Sequence, residues 1–96
     1  MPSLIVVAKI IAKKEYIEAV KSELYKLILP TRKEKGCKEY NLHQDNDNPS
    51  VFIFYETWDS LKCLEAHMKT EHFKNYVVAV QSMIELKLVH KMSRIV

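Results

Sequence analysis

The spacing of apolar residues switches along this chain between strand-like runs and the three-and-four spacing of a helix, and the order of the switches confines it to very few topologies. Ser3 to Ala12 is rich in Ile and Val and reads as a buried strand. From Lys14, Ile17, Val20, Leu24, Leu27 and Ile28 recur at helical intervals, with Glu15, Glu18, Lys21, Glu23 and Lys26 on the other face. Pro30 lacks a backbone donor, so this helix ends near Leu29 or runs on, kinked, to Lys35. Gly36, the only glycine, stands where a helix C-cap takes a left-handed residue.

Cys37 to Gln44 alternates, with Tyr40 and Leu42 on one side and Asn41 and His43 on the other. Asp45 to Ser50 is dense in turn formers, and Val51 to Trp58 returns as the second arm of a hairpin. Asp59 or Ser60 caps a helix striped by Leu61, Leu64 and Met68. Thr70 starts another, on which Phe73, Tyr76, Val77, Val80 and Ile84 keep the period, so the second helical region breaks near Lys69 and Thr70. Glu85 to Val96 alternates as a last strand. Strand, helix, strand, strand, helix, strand is the split βαβ order, so the expected fold is α+β and ferredoxin-like, an antiparallel sheet with its helices on one face. The other face needs a cover, and a second copy of the same sheet supplies one, which predicts a homodimer.

At 96 residues the chain is expected to form a single domain, residues 1–96, with a thin core that association would enlarge. A net charge of +3 is too small to point to nucleic acid, and the densest basic run, Arg32 to Lys35, carries its own acid and reads as a solvated helix end. No stretch is apolar for the roughly 18 residues a membrane span needs, and Leu4 to Ala8 lacks the flanks of a signal peptide, so no membrane association and a cytoplasmic location are expected. Cys37 and Cys63 have no paired spacing and are expected to be reduced and structural, Cys63 on the same inward stripe as His67.

Phe52, Phe54, Glu56 and Trp58 share one face of a strand. A carboxylate among such rings has its pKa raised by desolvation unless it is paired; the alternative is a Glu56 that faces water, which would expose Phe54 and Trp58 with it. His67 shares a helical face with Cys63 and Leu64 and should point inward, either as a core histidine or as a proton carrier near neutrality. Together Glu56 and His67 suggest a base and its orienting partner, while Asn41 and His43 offer polar atoms to a substrate or simply line the wet side of the hairpin. None of the four histidines, His43, His67, His72 and His90, has metal-ligand spacing, and His67 and His72 lie five apart across a helix break, so no metal is expected. A single glycine also excludes glycine-rich phosphate loops.

The run Tyr55-Glu56-Thr57-Trp58, the helix Leu64-Glu65-Ala66-His67 and the start Thr70-Glu71-His72-Phe73, with Gly36-Cys37 and Tyr40 before the turn, resemble the antibiotic biosynthesis monooxygenase family, in particular its small quinol monooxygenase-like members. The resemblance covers nearly the whole chain and implies a dimeric α+β barrel with one pocket per subunit. It also implies oxidation of a quinol or polyphenolic aromatic by molecular oxygen without a cofactor. On that basis His67 is the expected base, Glu56 its partner and Asn41 the amide holding a substrate oxygen, with His43 beside it; Phe52, Phe54, Trp58 and Tyr76 are the expected walls. In haem-degrading relatives the position of His67 resembles a Trp site and the iron ligand falls at Val77, so haem is not implied. Two alternatives stay open. One is a phosphorylated-sugar isomerase or processing enzyme of the same fold, using Lys13, Lys14 or Arg32; the other is a non-catalytic dimeric small-molecule-binding stress protein.

Overall fold

The β-branched and alternating segments form the strands Leu4–Ala12 (β1), Cys37–Gln44 (β2), Val51–Trp58 (β3) and Ile84–Met92 (β4) in a computed structural model that describes residues 2–96. The helically spaced segments form Ile17–Lys26 (α1), Ile28–Arg32 (α2), Leu61–Met68 (α3) and Glu71–Val80 (α4), with one 3-10 turn at Lys14–Tyr16. The sheet order is β2-β3-β1-β4 with every neighbour antiparallel, the ferredoxin-like arrangement.

Local chemistry explains the element ends. Pro30 has no N–H, and the helix breaks earlier than Leu29: the Leu27 N–H turns back to the Leu24 carbonyl at 3.1 Å and a short helix restarts. Ser60 and Thr70 cap α3 and α4 by accepting the Cys63 and Phe73 amides. Ile84, expected to extend the last helix, instead begins β4 opposite Ala12. The chain turns after Val80, whose carbonyl takes the Met83 N–H, and the Met83 carbonyl then takes the Lys13 N–H. β4 stops at Met92, short of the expected Val96, where its last partner on β1 is Ile5.

Register sets which residues meet. Tyr40, Glu56, Val6 and Lys91 form one row across the sheet, Leu42, Phe54, Ala8 and Val89 the next, and Gln44, Phe52, Ile10 and Lys87 the next. These rows face the helices, and Val6, Ile10, Phe52, Phe54 and Trp58 pack there against Val20, Leu24, Leu27, Leu64, Tyr76 and Val80. The opposite face carries Ile5, Val7, Ile11 and Ile53, half-buried, and Tyr55, Leu86, Leu88 and Met92, exposed. That row of large apolar side chains has no cover among the described residues.

Candidate active site

The helices leave a cavity of about 290 Å³ between α3, α4 and the inner rows of the sheet, walled by Ala8, Phe54, Leu64, Met68, Phe73 and Tyr76. Lys87, Val89 and Lys91 of β4 also line it, as do Val6, Ile10, Leu27 and Tyr40. β4 is exposed from Glu85 onward, so the cavity meets solvent along that strand. Its polar groups are few, among them Glu56, His67 and the two lysines.

His67 sits in the last turn of α3 and is buried, with 2 % of its surface exposed. Its Nδ1 lies 2.8 Å from Glu34 Oε2. A carboxylate oxygen only accepts, so Nδ1 carries the hydrogen and Nε2, which has no partner among the described residues, carries the lone pair. Burial pushes the His67 pKa below its ordinary value, opposed by the Glu34 hydrogen bond and charge, so the neutral ring is the resting form. His72, in the first turn of α4, brings Nε2 to the same Glu34 oxygen at 2.6 Å.

Glu34 comes from the turn after α2, and the reason it reaches His67 lies at Gly36. Gly36 has φ +83° and its space is shut: a Cβ there would overlap Cys63 Sγ and approach Cys63 Cβ at 2.9 Å. The Gly36 carbonyl takes the Asp59 N–H at 2.8 Å. The turn is thereby clamped onto the start of α3 at Cys63, about one helical turn before His67. The reading of Arg32 to Lys35 as a solvated helix end is thus corrected at Glu34, whose side chain is only 12 % exposed. The separation of His67 from His72 is corrected too, because the break at Lys69 and Thr70 turns α4 so that both rings meet one carboxylate.

Glu56 is buried on the inner face of β3, as expected, but its partner is Trp58, whose Nε1 donates to Glu56 Oε1 at 2.9 Å. Desolvation lifts the Glu56 pKa to about 7, against the lowering influences of the indole N–H and of Lys87. Glu34, rather than Glu56, is therefore the carboxylate that orients His67. Lys87 lays its ammonium 5.1 Å from the centre of the Phe73 ring and 5.8 Å from that of Tyr76, and desolvation lowers its pKa. Tyr76, buried in the wall, has its hydroxyl raised to about 12 by desolvation, and that hydroxyl has no hydrogen-bond partner among the described residues.

Of the other expected site residues, Phe54 and Tyr76 line the cavity. Trp58 stands behind it, fully buried, its ring 4.9 Å from that of His67. Phe52, His43, Tyr25 and Arg32 line a separate groove at the β2 edge. Asn41 shares the outer face with Tyr55, its register partner, and its Oδ1 accepts from Arg32 at 3.1 Å. Alternation along β2 explains both departures: Tyr40 and Leu42 take the inner positions, so Asn41 and His43 cannot. Arg32 also donates to the Tyr40 carbonyl, and Lys13 to that of Ser82, so neither stands at the cavity. Glu34 and Lys87 were missed from sequence; the signal for Glu34 was a lone acid among bases beside the only glycine.

The comparisons with known proteins agree with this architecture. The family profile described as antibiotic biosynthesis monooxygenase matches residues 3–79. The crystal structure of PA3566 from Pseudomonas aeruginosa superposes with a TM-score of 0.96 at 31 % identity, over 100 % of this chain and 97 % of that one. YgiN of Escherichia coli K12, named "Probable quinol monooxygenase", is 32 % identical over 72 residues, 67 % of this chain and 69 % of that protein. A match of 34 % identity over 50 residues to sll1783 of Synechocystis covers 52 % of this chain but only 34 % of that longer protein. With the profile spanning most of the chain and the fold shared from end to end, the protein belongs to the antibiotic biosynthesis monooxygenase family.

Proposed function

We propose that this chain oxidises a quinol or related polyphenol with molecular oxygen, with His67 as the base. The observation that carries the proposal is a neutral, buried His67 whose Nδ1–H is taken by Glu34, leaving Nε2 free on a ring that lines an apolar cavity. A quinol deprotonated there is electron-rich enough to reduce oxygen itself. One oxygen atom enters the ring and the other leaves as water, so quinol plus O₂ gives hydroxyquinone plus H₂O, and the substrate supplies all four electrons.

The energetic difficulty is the first proton. A phenol near pKa 10 is at least about 3.5 units above a histidine, which costs about 5 kcal/mol or more. A phenolate about 5 Å from an ammonium, at an effective dielectric constant near 20, recovers roughly 3 kcal/mol. Of the two lysines in the cavity lining, Lys87 lies over the Phe73 and Tyr76 rings and is the cation assigned that role, and the unpartnered hydroxyl of Tyr76 and the near-neutral carboxyl of Glu56 are available as donors to substrate oxygen. Phe54, Phe73 and Tyr76 supply ring faces for an aromatic substrate. Among the described residues, no helix is long and apolar enough to cross a membrane.

The working unit we infer is a homodimer formed through the open sheet face, which buries Leu86, Leu88 and Met92. The test of function is oxygen uptake with 1,4-dihydroxynaphthalene, corrected for autoxidation, with ¹⁸O₂ incorporation read by mass spectrometry. Label in the hydroxyquinone, lost in His67→Ala, supports the assignment; turnover indifferent to His67→Ala or to the removal of oxygen refutes it.

A further inference from the structure

We propose that Glu34, His67 and His72 form a binding site for a divalent transition ion such as Zn²⁺, held by Glu34 Oε2, His67 Nδ1 and His72 Nε2. These three donor atoms all lie within 4.8 Å of one another, and both nitrogens already converge on the same oxygen, at 2.8 and 2.6 Å. Two imidazoles and one carboxylate are a known zinc ligand set that leaves a fourth position for water, and imidazole donors favour Zn, Ni, Cu and Fe over Mg or Ca.

The three ligands come from separate segments, and each is held in place. The Glu34 turn is clamped at Gly36 against Cys63 and Asp59. The α3–α4 corner is fixed by Thr70, whose hydroxyl donates to the His67 carbonyl at 2.7 Å and accepts the Phe73 amide. A preorganised set loses little freedom when it captures an ion. The His72 side chain is 26 % exposed while that of His67 is 3 % exposed, so an ion has a route in from solvent at His72.

The ion takes the place of the hydrogens that now bridge to Glu34. On His67 that moves the ring proton from Nδ1 to Nε2, the nitrogen without a partner among the described residues. Resting on the function proposed above, it follows that a bound ion removes the lone pair that serves as base, so Zn²⁺ inhibits turnover and a chelator restores it.

Calorimetric titration of the whole chain with ZnCl₂, and optical titration with CoCl₂, are expected to show one saturable site per chain. His72→Gln is expected to weaken binding by about tenfold or more, since loss of outer partners alone costs that much. A His43→Gln, His90→Gln double variant is expected to bind as the parent does. Should His72→Gln fail to fold, paramagnetic broadening by Co²⁺ in the unaltered protein decides: the ring protons of His67 and His72 broaden first if the site is right. No saturable binding, undiminished binding by folded His72→Gln, or broadening confined to His43 and His90 overturns the site. The two proposals fail separately: normal turnover in EDTA without any zinc binding removes the metal site alone, whereas saturable binding at these residues with unchanged turnover removes the inhibition and the role of His67 as base.

Discussion

Replacing Glu34 by Gln tests the orienting carboxylate with little change of shape. When His67 takes a proton from substrate it becomes an imidazolium whose Nδ1 stands 2.8 Å from Glu34 Oε2. With charge centres about 4 Å apart and an effective dielectric constant near 20, the full ion pair is worth roughly 4 kcal/mol. A transition state carrying half of that charge loses about 2 kcal/mol in the variant, so kcat should fall about 30-fold, and by up to about 1000-fold if proton transfer is nearly complete. The same carboxylate raises the His67 pKa against desolvation, so in Glu34→Gln that pKa drops further. A base must be deprotonated, and the acid limb of the pH–rate profile should therefore move to lower pH while the plateau falls. The assay is oxygen uptake with 1,4-dihydroxynaphthalene across pH in EDTA, which keeps metal ions off the rings, with circular dichroism to verify folding. A folded variant with kcat within twofold of the parent and an unmoved acid limb would show that Glu34 does not act through His67. A residue needed only for packing would lower the amount of folded protein without displacing the limb.

Gly36→Ala should destabilise the chain by about 2 kcal/mol or more, from the left-handed conformation and the overlap with Cys63, read as a lower denaturant midpoint. Glu56 holds its proton up to about pH 7 in the folded chain but only to about 4.5 when unfolded, so between those values the folded state binds more protons and stability falls as pH rises. That contribution amounts to about 3 kcal/mol over the window, and Glu56→Gln should remove it; an identical pH dependence of chemical denaturation in parent and variant would contradict the burial argument. His67, with its pKa lowered, acts in the opposite sense, so the comparison of the two proteins rather than the parent curve carries the test. Leu88→Asp places a charge on the uncovered sheet face where Leu88 is 44 % exposed, so it should leave the subunit folded and shift the sedimentation coefficient to that of a monomer. A parent protein already monomeric at micromolar concentration would remove the dimer.

Secondary structure and topology were legible in the chain because they rest on local causes: β-branched runs, helical spacing, the turn formers Asp45 to Ser50, and the caps Ser60 and Thr70 each act within a few residues. The inner face of β3 was legible for the same reason, since alternation alone puts Phe52, Phe54 and Glu56 together with Trp58 toward the helices. Its limit shows at β2, where alternation assigns Tyr40 inward and so sends Asn41 to the outer face, against the role expected of its amide.

What the tertiary structure alone decided is the pairing of charged groups. Glu34 lies 33 residues before His67 and 38 before His72, and no local pattern joins them. Their meeting depends on one tight backbone contact at Gly36 and on the angle between α3 and α4. Periodicity tells which side of an element is apolar because burial is a property of faces, but a hydrogen bond depends on distances of a few tenths of an ångström between particular atoms. Hence the sequence by itself determined the fold, the family resemblance and the histidine facing the core, while packing chose that histidine's carboxylate, placed Lys87 at the cavity and brought His72 to the same oxygen.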